Sequence, residues 1–265
     1  METFVKYREA KIHYKTQGFG NALILLHGFT ESLDIWKEFS EALSKNFKVI
    51  CIDLPGHGES ECISDIHTME LIAESVKAVL EKEKIKECVM IGHSMGGYVA
   101  LAFAEKYHSY IKGLGLFHSS ALPDTPENKA NRARAINVIE KNHTGFIINF
   151  IPDLFAPAFR EIFKKEITAI ITQAQKMTKQ AIIAAQKGMM ERYDKRKVLK
   201  NAAFPVLFIA GKQDTRISYD KILEQIALPN DTVAILLHDI AHMGYIEAKD
   251  KTLHAVKSFA ERIYI

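Results

Sequence analysis

Six short runs in this chain are apolar at almost every position, and they restrict the fold more than any other feature of the sequence. Ala22–Leu26, ALILL, is the plainest; the others lie at residues 47–52, 88–91, 111–117, 206–210 and 233–237. A strand with one wet face alternates apolar and polar residues, so a run without alternation is buried on both faces and needs helices on each side of its sheet. Helical patterns do separate the runs, at roughly 34–45, 68–84, 95–107, 216–227 and 247–262. In the second of these, Leu71, Ile72, Val76, Val79 and Leu80 hold one face, with Thr68 placed as the N-cap. Alternating strand and helix predicts an α/β fold with a mostly parallel, doubly wound sheet. Residues 3–15 differ. They alternate weakly around Phe4, Ile12 and Tyr14 and are closed by Gly18 and Gly20, which predicts a short antiparallel hairpin at the sheet edge.

The alternation stops between residues 122 and 200, where helical patterns continue without a strand. Pro123 and Pro126 open this stretch, Pro152 and Pro157 punctuate it, and Pro205 marks the return to the sheet. Internal prolines break long helices, so the expectation is an insert of several short helices. The chain then divides into a core, residues 1–121 with 201–265, and an all-helical cap, residues 122–200.

A chain of 265 residues with 48% hydrophobic content can fill one large core. Its 35 basic and 32 acidic residues nearly balance, which argues against nucleic acid or an anionic membrane as partner. Cys51, Cys62 and Cys88 are odd in number and show neither a Cys-x-x-Cys pair nor a Cys-and-His metal spacing, so no disulfide framework or metal site is expected and a reducing cytoplasm fits. No apolar run approaches a membrane span. Monomer and homodimer remain open.

The chemistry concentrates where the runs end. In a doubly wound sheet the ligand lies beyond the carboxyl ends of the strands. There the sequence places His27-Gly28-Phe29, then Asp53 with Pro55-Gly56-His57-Gly58, then Gly92-His93-Ser94-Met95-Gly96, then His118, then Asp214 and last His242. Ser94 sits between a strand and a helix in a Gly-x-Ser-x-Gly turn, whose glycines permit the tight backbone that lifts a serine hydroxyl clear. A serine needs an imidazole to take its proton, and the imidazole needs a carboxylate to fix its tautomer. Ser94, Asp214 and His242 supply the three in chain order. Asp239 is a rival acid, but it lies three residues before His242 on one loop, whereas Asp214 approaches from the neighbouring strand end.

On these residues the chain resembles the α/β-hydrolase superfamily, in its small branch with a helical cap. The matching segments are HGFTESLDIW at 27–36, DLPGHGES at 53–60, GHSMGG at 92–97, GKQD at 211–214 and HMGYIE at 242–247. The resemblance implies Ser94 as nucleophile, His242 as base and Asp214 as its partner, with the amides of Phe29 and Met95 as oxyanion hole and no cofactor. Ala241 departs from the pattern, since many relatives carry glycine before the histidine. His57, His27 and His93 are expected to serve structure, Asp53 to hold its loop, and Trp36 and His118 are candidates for the pocket wall. The aromatic stripe of the insert, with Phe155 and Phe159 at its centre and Met189 on the returning segment, either lines an apolar acyl pocket or only docks the insert onto the core. The implied activity is hydrolysis of a small ester or thioester with an apolar group through an acyl-enzyme. Carbon–carbon bond hydrolases, lyases, perhydrolases and a menaquinone-pathway synthase have similar chains, and a ligand-binding receptor of the same fold is the alternative outside catalysis.

Overall fold

The computed structural model describes residues 2–264. The chain opens with β1 (Glu2–Tyr7) and β2 (Ala10–Gln17), followed by β3 (Ala22–Leu26), α1 (Lys37–Leu43), β4 (Lys48–Ile52) and α2 (Met69–Lys82). Next come β5 (Cys88–His93), α3 (Met95–Lys106) and β6 (Ile111–Phe117). Four helices follow without a strand: α4 (Pro126–Phe150), α5 (Lys164–Ala174), α6 (Lys179–Met190) and α7 (Arg196–Lys200). The sheet resumes with β7 (Val206–Gly211), α8 (Tyr219–Gln225) and β8 (Thr232–Leu237), and the chain closes with α9 (Gly244–Glu247) and α10 (Lys249–Tyr264).

The eight strands form one sheet in the order β1-β2-β4-β3-β5-β6-β7-β8, with helices on both faces. The β1–β2 hairpin is antiparallel and joins through the antiparallel β2–β4 contact; every pair from β4 to β8 is parallel. β3 and β5 are buried at every position, as unbroken apolar runs require. β8 is not: it is the far edge strand, and only Leu237 of its residues is fully buried. Its apolar run therefore resembles those of central strands while packing as an edge.

Between β6 and β7 lie several helices and no strand, as expected, but one of them is long. α4 runs for 25 residues and bends at Asn142, whose φ of −156° and ψ of 80° are not helical. The prolines fall after this helix, where Pro152 and Pro157 each open a single 3-10 turn. They separate α4 from α5.

Candidate active site

Ser94 follows β5 directly, with φ 49° and ψ −114°, a conformation that costs a non-glycine residue about 1–3 kcal/mol. Close packing enforces it. A Cβ on Gly92 would lie 2.2 Å from the Gly96 carbonyl oxygen, and one on Gly96 2.5 Å from that of Leu26, so only glycine lets the turn press onto β3. The Ser94 amide donates to the Phe117 carbonyl at 2.9 Å, which fixes the turn against β6. The serine remains half-buried and opens into a cavity.

His242 precedes α9, and its Nε2 lies 2.8 Å from Ser94 Oγ. Its Nδ1 lies 2.8 Å from Asp214 Oδ2. Asp214, just after β7, is buried and heavily solvated by the chain: Oδ1 accepts from the amides of Arg216 at 2.8 Å and Ile217 at 3.0 Å, and Oδ2 also meets His118 Nδ1 at 3.2 Å. Burial alone would raise its pKa, but the charge of His242 and the hydrogen bonds of His118 and His242 hold it well below the usual carboxylate range. Asp239 takes no part. It pairs with His238 at 2.7 Å on the surface, with its side chain 77% exposed.

His118 is fully buried, and burial pushes its imidazole down to about 4, so it is neutral at pH 7 and donates Nδ1–H to Asp214. Its Nε2 has no hydrogen-bond partner among the described residues. His118, Asp214 and His242 place ligand atoms within 4.8 Å of one another, as a metal site would. Both Nδ1 atoms, however, already face Asp214, and the remaining His242 nitrogen faces Ser94.

A second set of buried groups ties the His242 loop to the Phe29 loop. His93 Nδ1 lies 2.9 Å from Glu31 Oε2, and its Nε2 donates to the His242 carbonyl at 2.9 Å. Glu31 also accepts from the Gly28 amide at 2.5 Å and the Tyr245 hydroxyl at 3.0 Å. Burial opposes both charges, but the carboxylate raises the His93 pKa and the imidazole lowers that of Glu31, as in an ion pair. Glu247 works on the other side of the base: Oε2 accepts from the amides of Ala241 and Met243, and Oε1 accepts from Ala156. Glu31, Tyr245 and Glu247 lie inside the sequence motifs, yet no periodicity reveals their contacts.

The remaining histidines shape loops. His27 Nε2 accepts from the Leu54 amide at 2.9 Å, which leaves Nδ1–H to donate to the Gly28 carbonyl at 2.7 Å. Asp53 accepts from the amides of Leu33 and Glu59 and from His13. His57 is held by the Pro55 carbonyl and packs against the rings of His27 and Phe29. The amides of Phe29 and Met95 have no hydrogen-bond partner among the described residues.

The cavity beside Ser94 measures about 250 Å³. Phe29 and Met189 line it, together with Phe146, Phe150, Leu154 and Ile217. Trp36, His118, Phe155 and Phe159, candidates for its wall, do not line it. Trp36 is sealed in the core against Phe39, Phe117 and Tyr245, and His118 lies behind the base. Phe155 is buried and Phe159 half-buried, both against Phe163, while the neighbouring Leu154 carbonyl accepts from the His242 amide at 3.0 Å. That segment docks the helical insert onto the base loop. The cavity's other wall is polar, with Asn128, Asn131 and Arg132 on α4, Gln186 on α6, and Arg192 and Arg216.

Comparison with known proteins places this geometry in a family. A family profile described as alpha/beta hydrolase fold matches residues 21–157. The chain is 26% identical over 260 residues to a pimeloyl-(acyl-carrier protein) methyl ester esterase of Vibrio vulnificus, covering 94% of this chain and 98% of that one. It is also 26% identical over 255 residues to the dihydrolipoyllysine-residue acetyltransferase component of an acetoin cleaving system of Pseudomonas putida, covering 92% of this chain but 64% of that protein. The structure of a thermophilic esterase from Thermogutta terrifontis, with malate bound, superposes with a TM-score of 0.94 at 27% identity over the whole of both chains. With its profile match over half the chain and its sheet in the same topology, the chain belongs to the alpha/beta hydrolase fold family and is an enzyme of that fold.

Proposed function

We propose that this enzyme is a serine hydrolase that cleaves a small carboxylic ester or thioester through an acyl-enzyme. The observation that carries the reading is the unbroken chain from Ser94 Oγ through His242 to Asp214, at 2.8 Å and 2.8 Å, opening into a cavity. In this reading Ser94 donates its proton to His242 Nε2 as Oγ attacks the acyl carbon. Asp214 accepts Nδ1–H and stabilises the imidazolium. The developing oxyanion lies against the amides of Phe29 and Met95, the latter at the N-terminus of α3, where unsatisfied N–H groups and the helix dipole favour negative charge. His242 then protonates the departing alkoxide or thiolate. Water enters, gives a proton to the same nitrogen and releases the acid. The aromatic side of the cavity accommodates an apolar segment of the substrate.

The names of the Vibrio and Thermogutta proteins support ester cleavage over the other chemistries of this fold. Residues 122–200 are proposed as a cap over the core of 1–121 and 201–265. The three free cysteines support a reducing, cytoplasmic setting.

Labelling with a fluorophosphonate probe tests the reading directly. The wild type should label at Ser94 and hydrolyse p-nitrophenyl esters; Ser94→Ala should fold, fail to label and lose on the order of 10⁶ in kcat. Unchanged turnover in Ser94→Ala would exclude the acyl-enzyme.

A further inference from the structure

The cavity beside Ser94 carries more positive charge than its carboxylates balance. Three arginines line it, Arg132, Arg192 and Arg216. Asp124, itself buried, is shared by two of them: Oδ2 accepts from Arg132 Nε at 2.6 Å and Oδ1 from Arg192 Nη1 at 2.8 Å. Arg192 is further occupied by the carbonyls of Leu122 and Met189 and lies over the Tyr98 ring. Glu31, the other lining carboxylate, is matched by His93.

Arg216 is different. Among the described residues its guanidinium has no ion pair and no hydrogen bond, and it lies over the face of Phe150, 4.9 Å from the ring centroid. Asp153 and Asp214 attract it and Arg132 repels it, but neither carboxylate meets it. Asp153 pairs with Arg160 at 3.1 Å, and both oxygens of Asp214 are taken. Its backbone is anchored, since the Arg216 amide donates to Asp214 Oδ1 at 2.8 Å. The cation and the serine thus line one cavity, which Phe29 and Phe150 also line, with the guanidinium resting on the Phe150 ring.

We infer that the part of the substrate seated in this cavity ends in a carboxylate, which the Arg216 guanidinium receives. A guanidinium matches a carboxylate with two parallel N–H donors, and a substrate anion would relieve the repulsion between Arg216 and Arg132. Phe29 and Phe150 would pack the methylenes that separate carboxylate from ester. A cavity of about 250 Å³ lies below the roughly 300–1,000 Å³ of drug-sized sites, which suits a short chain. The substrate class is then a half-ester or half-thioester of a short dicarboxylic acid. This inference rests on the serine-hydrolase reading.

The test compares kcat/KM for the mono-p-nitrophenyl ester of glutaric acid with that for the same compound methylated at its free carboxylate. The wild type should favour the carboxylate by about tenfold or more, the scale of one hydrogen-bonded charge pair. Arg216→Gln should bring the ratio near one, and Arg216→Lys should restore part of it. A wild-type ratio at or below one, or an unchanged ratio in Arg216→Gln, overturns the carboxylate site while leaving the hydrolase intact. Calorimetric binding of glutarate separates the two ideas: binding that depends on Arg216, without turnover of either ester or fluorophosphonate labelling, sinks the hydrolase reading and keeps the anion site.

Discussion

Asp214→Asn is the substitution whose consequence follows most fully from the geometry. Asn can keep its oxygen on the Arg216 and Ile217 amides, because the opposite orientation would point its NH₂ group at two N–H donors. Its NH₂ must then face the Nδ1 atoms of His242 and His118, where Asp214 Oδ2 now accepts. Both imidazoles are forced to carry their proton on Nε2. For His242 that turns the base into a donor toward Ser94 Oγ, so the serine can no longer give up its proton. Loss of the triad aspartate in this way costs about 10⁴ in kcat in a serine protease, or between 5 and 6 kcal/mol at about 1.36 kcal/mol per tenfold. His118 adds a stability cost, because its Nε2 has no partner and a proton there becomes a buried unsatisfied donor, at about 1–3 kcal/mol. Steady-state hydrolysis of p-nitrophenyl butyrate and thermal unfolding by circular dichroism read the two effects. Asp239→Asn is the control and should stay within about twofold, as befits an exposed group. A folded Asp214→Asn retaining more than about a tenth of kcat, or a larger loss in Asp239→Asn, would refute the tautomer argument.

Phe29→Pro deletes one proposed oxyanion donor and should cost about 10²–10³ in kcat, whereas Phe29→Ala should keep most of kcat and raise KM, since its ring lines the cavity; equal damage from both, in protein of native circular dichroism, would remove the amide from the mechanism. His118 should make the fold acid-sensitive. Its folded pKa of about 4 lies below the unfolded value near 6.5, so the unfolded chain takes up the proton first and stability falls as pH drops through that window, by about 2 kcal/mol at pH 5. His57 and His67, lowered by burial to about 3 and about 4, act in the same sense. In His118→Asn the loss between pH 7 and pH 5, followed by thermal unfolding, should shrink by up to that amount; an unchanged slope would contradict it.

Much of this architecture was legible because the fold's strongest constraint acts on each residue separately. A strand covered on both faces must be apolar, and β3 throughout, β5 up to His93 and β6 from Gly113 onward announce themselves that way. The order of Ser94, Asp214 and His242 was legible because each stands in the loop or turn that follows a strand, β5, β7 and β8 in turn. The cavity wall was not. Asn128, Asn131, Arg132 and Ala135 stand at i, i+3, i+4 and i+7 on α4, which makes one helix face. In sequence a polar helix face reads as solvated, and only tertiary packing shows that this one faces the cavity. The aromatic stripe misleads for the converse reason. Phe146 and Phe150 do reach the cavity, but Phe155 and Phe159 lie past the end of α4, where the chain turns at Pro152 and they dock the insert.

The buried charges around His242 have their clearest value in position. A buried ion pair contributes little net stability, because desolvating both groups offsets their attraction, but removing one partner strands the other at a cost of about 3–5 kcal/mol. His93 and Glu31 form such a pair, and each also holds backbone beside the candidate site: His93 the His242 carbonyl, and Glu31 the Gly28 amide, next to Phe29, in addition to the Tyr245 hydroxyl. The His242 loop and the Phe29 loop are thereby fixed to a common buried centre. Glu247 holds the flanking amides of Ala241 and Met243 with one oxygen and reaches Ala156 with the other, so the insert is tied to the same loop. This arrangement also accounts for Ala241, where similar chains often have glycine. A glycine would be required there by a left-handed backbone, and Ala241 is not among the residues of positive φ. What the position needs is an amide aimed at Glu247, which alanine supplies as well as glycine, with less backbone entropy to lose on folding.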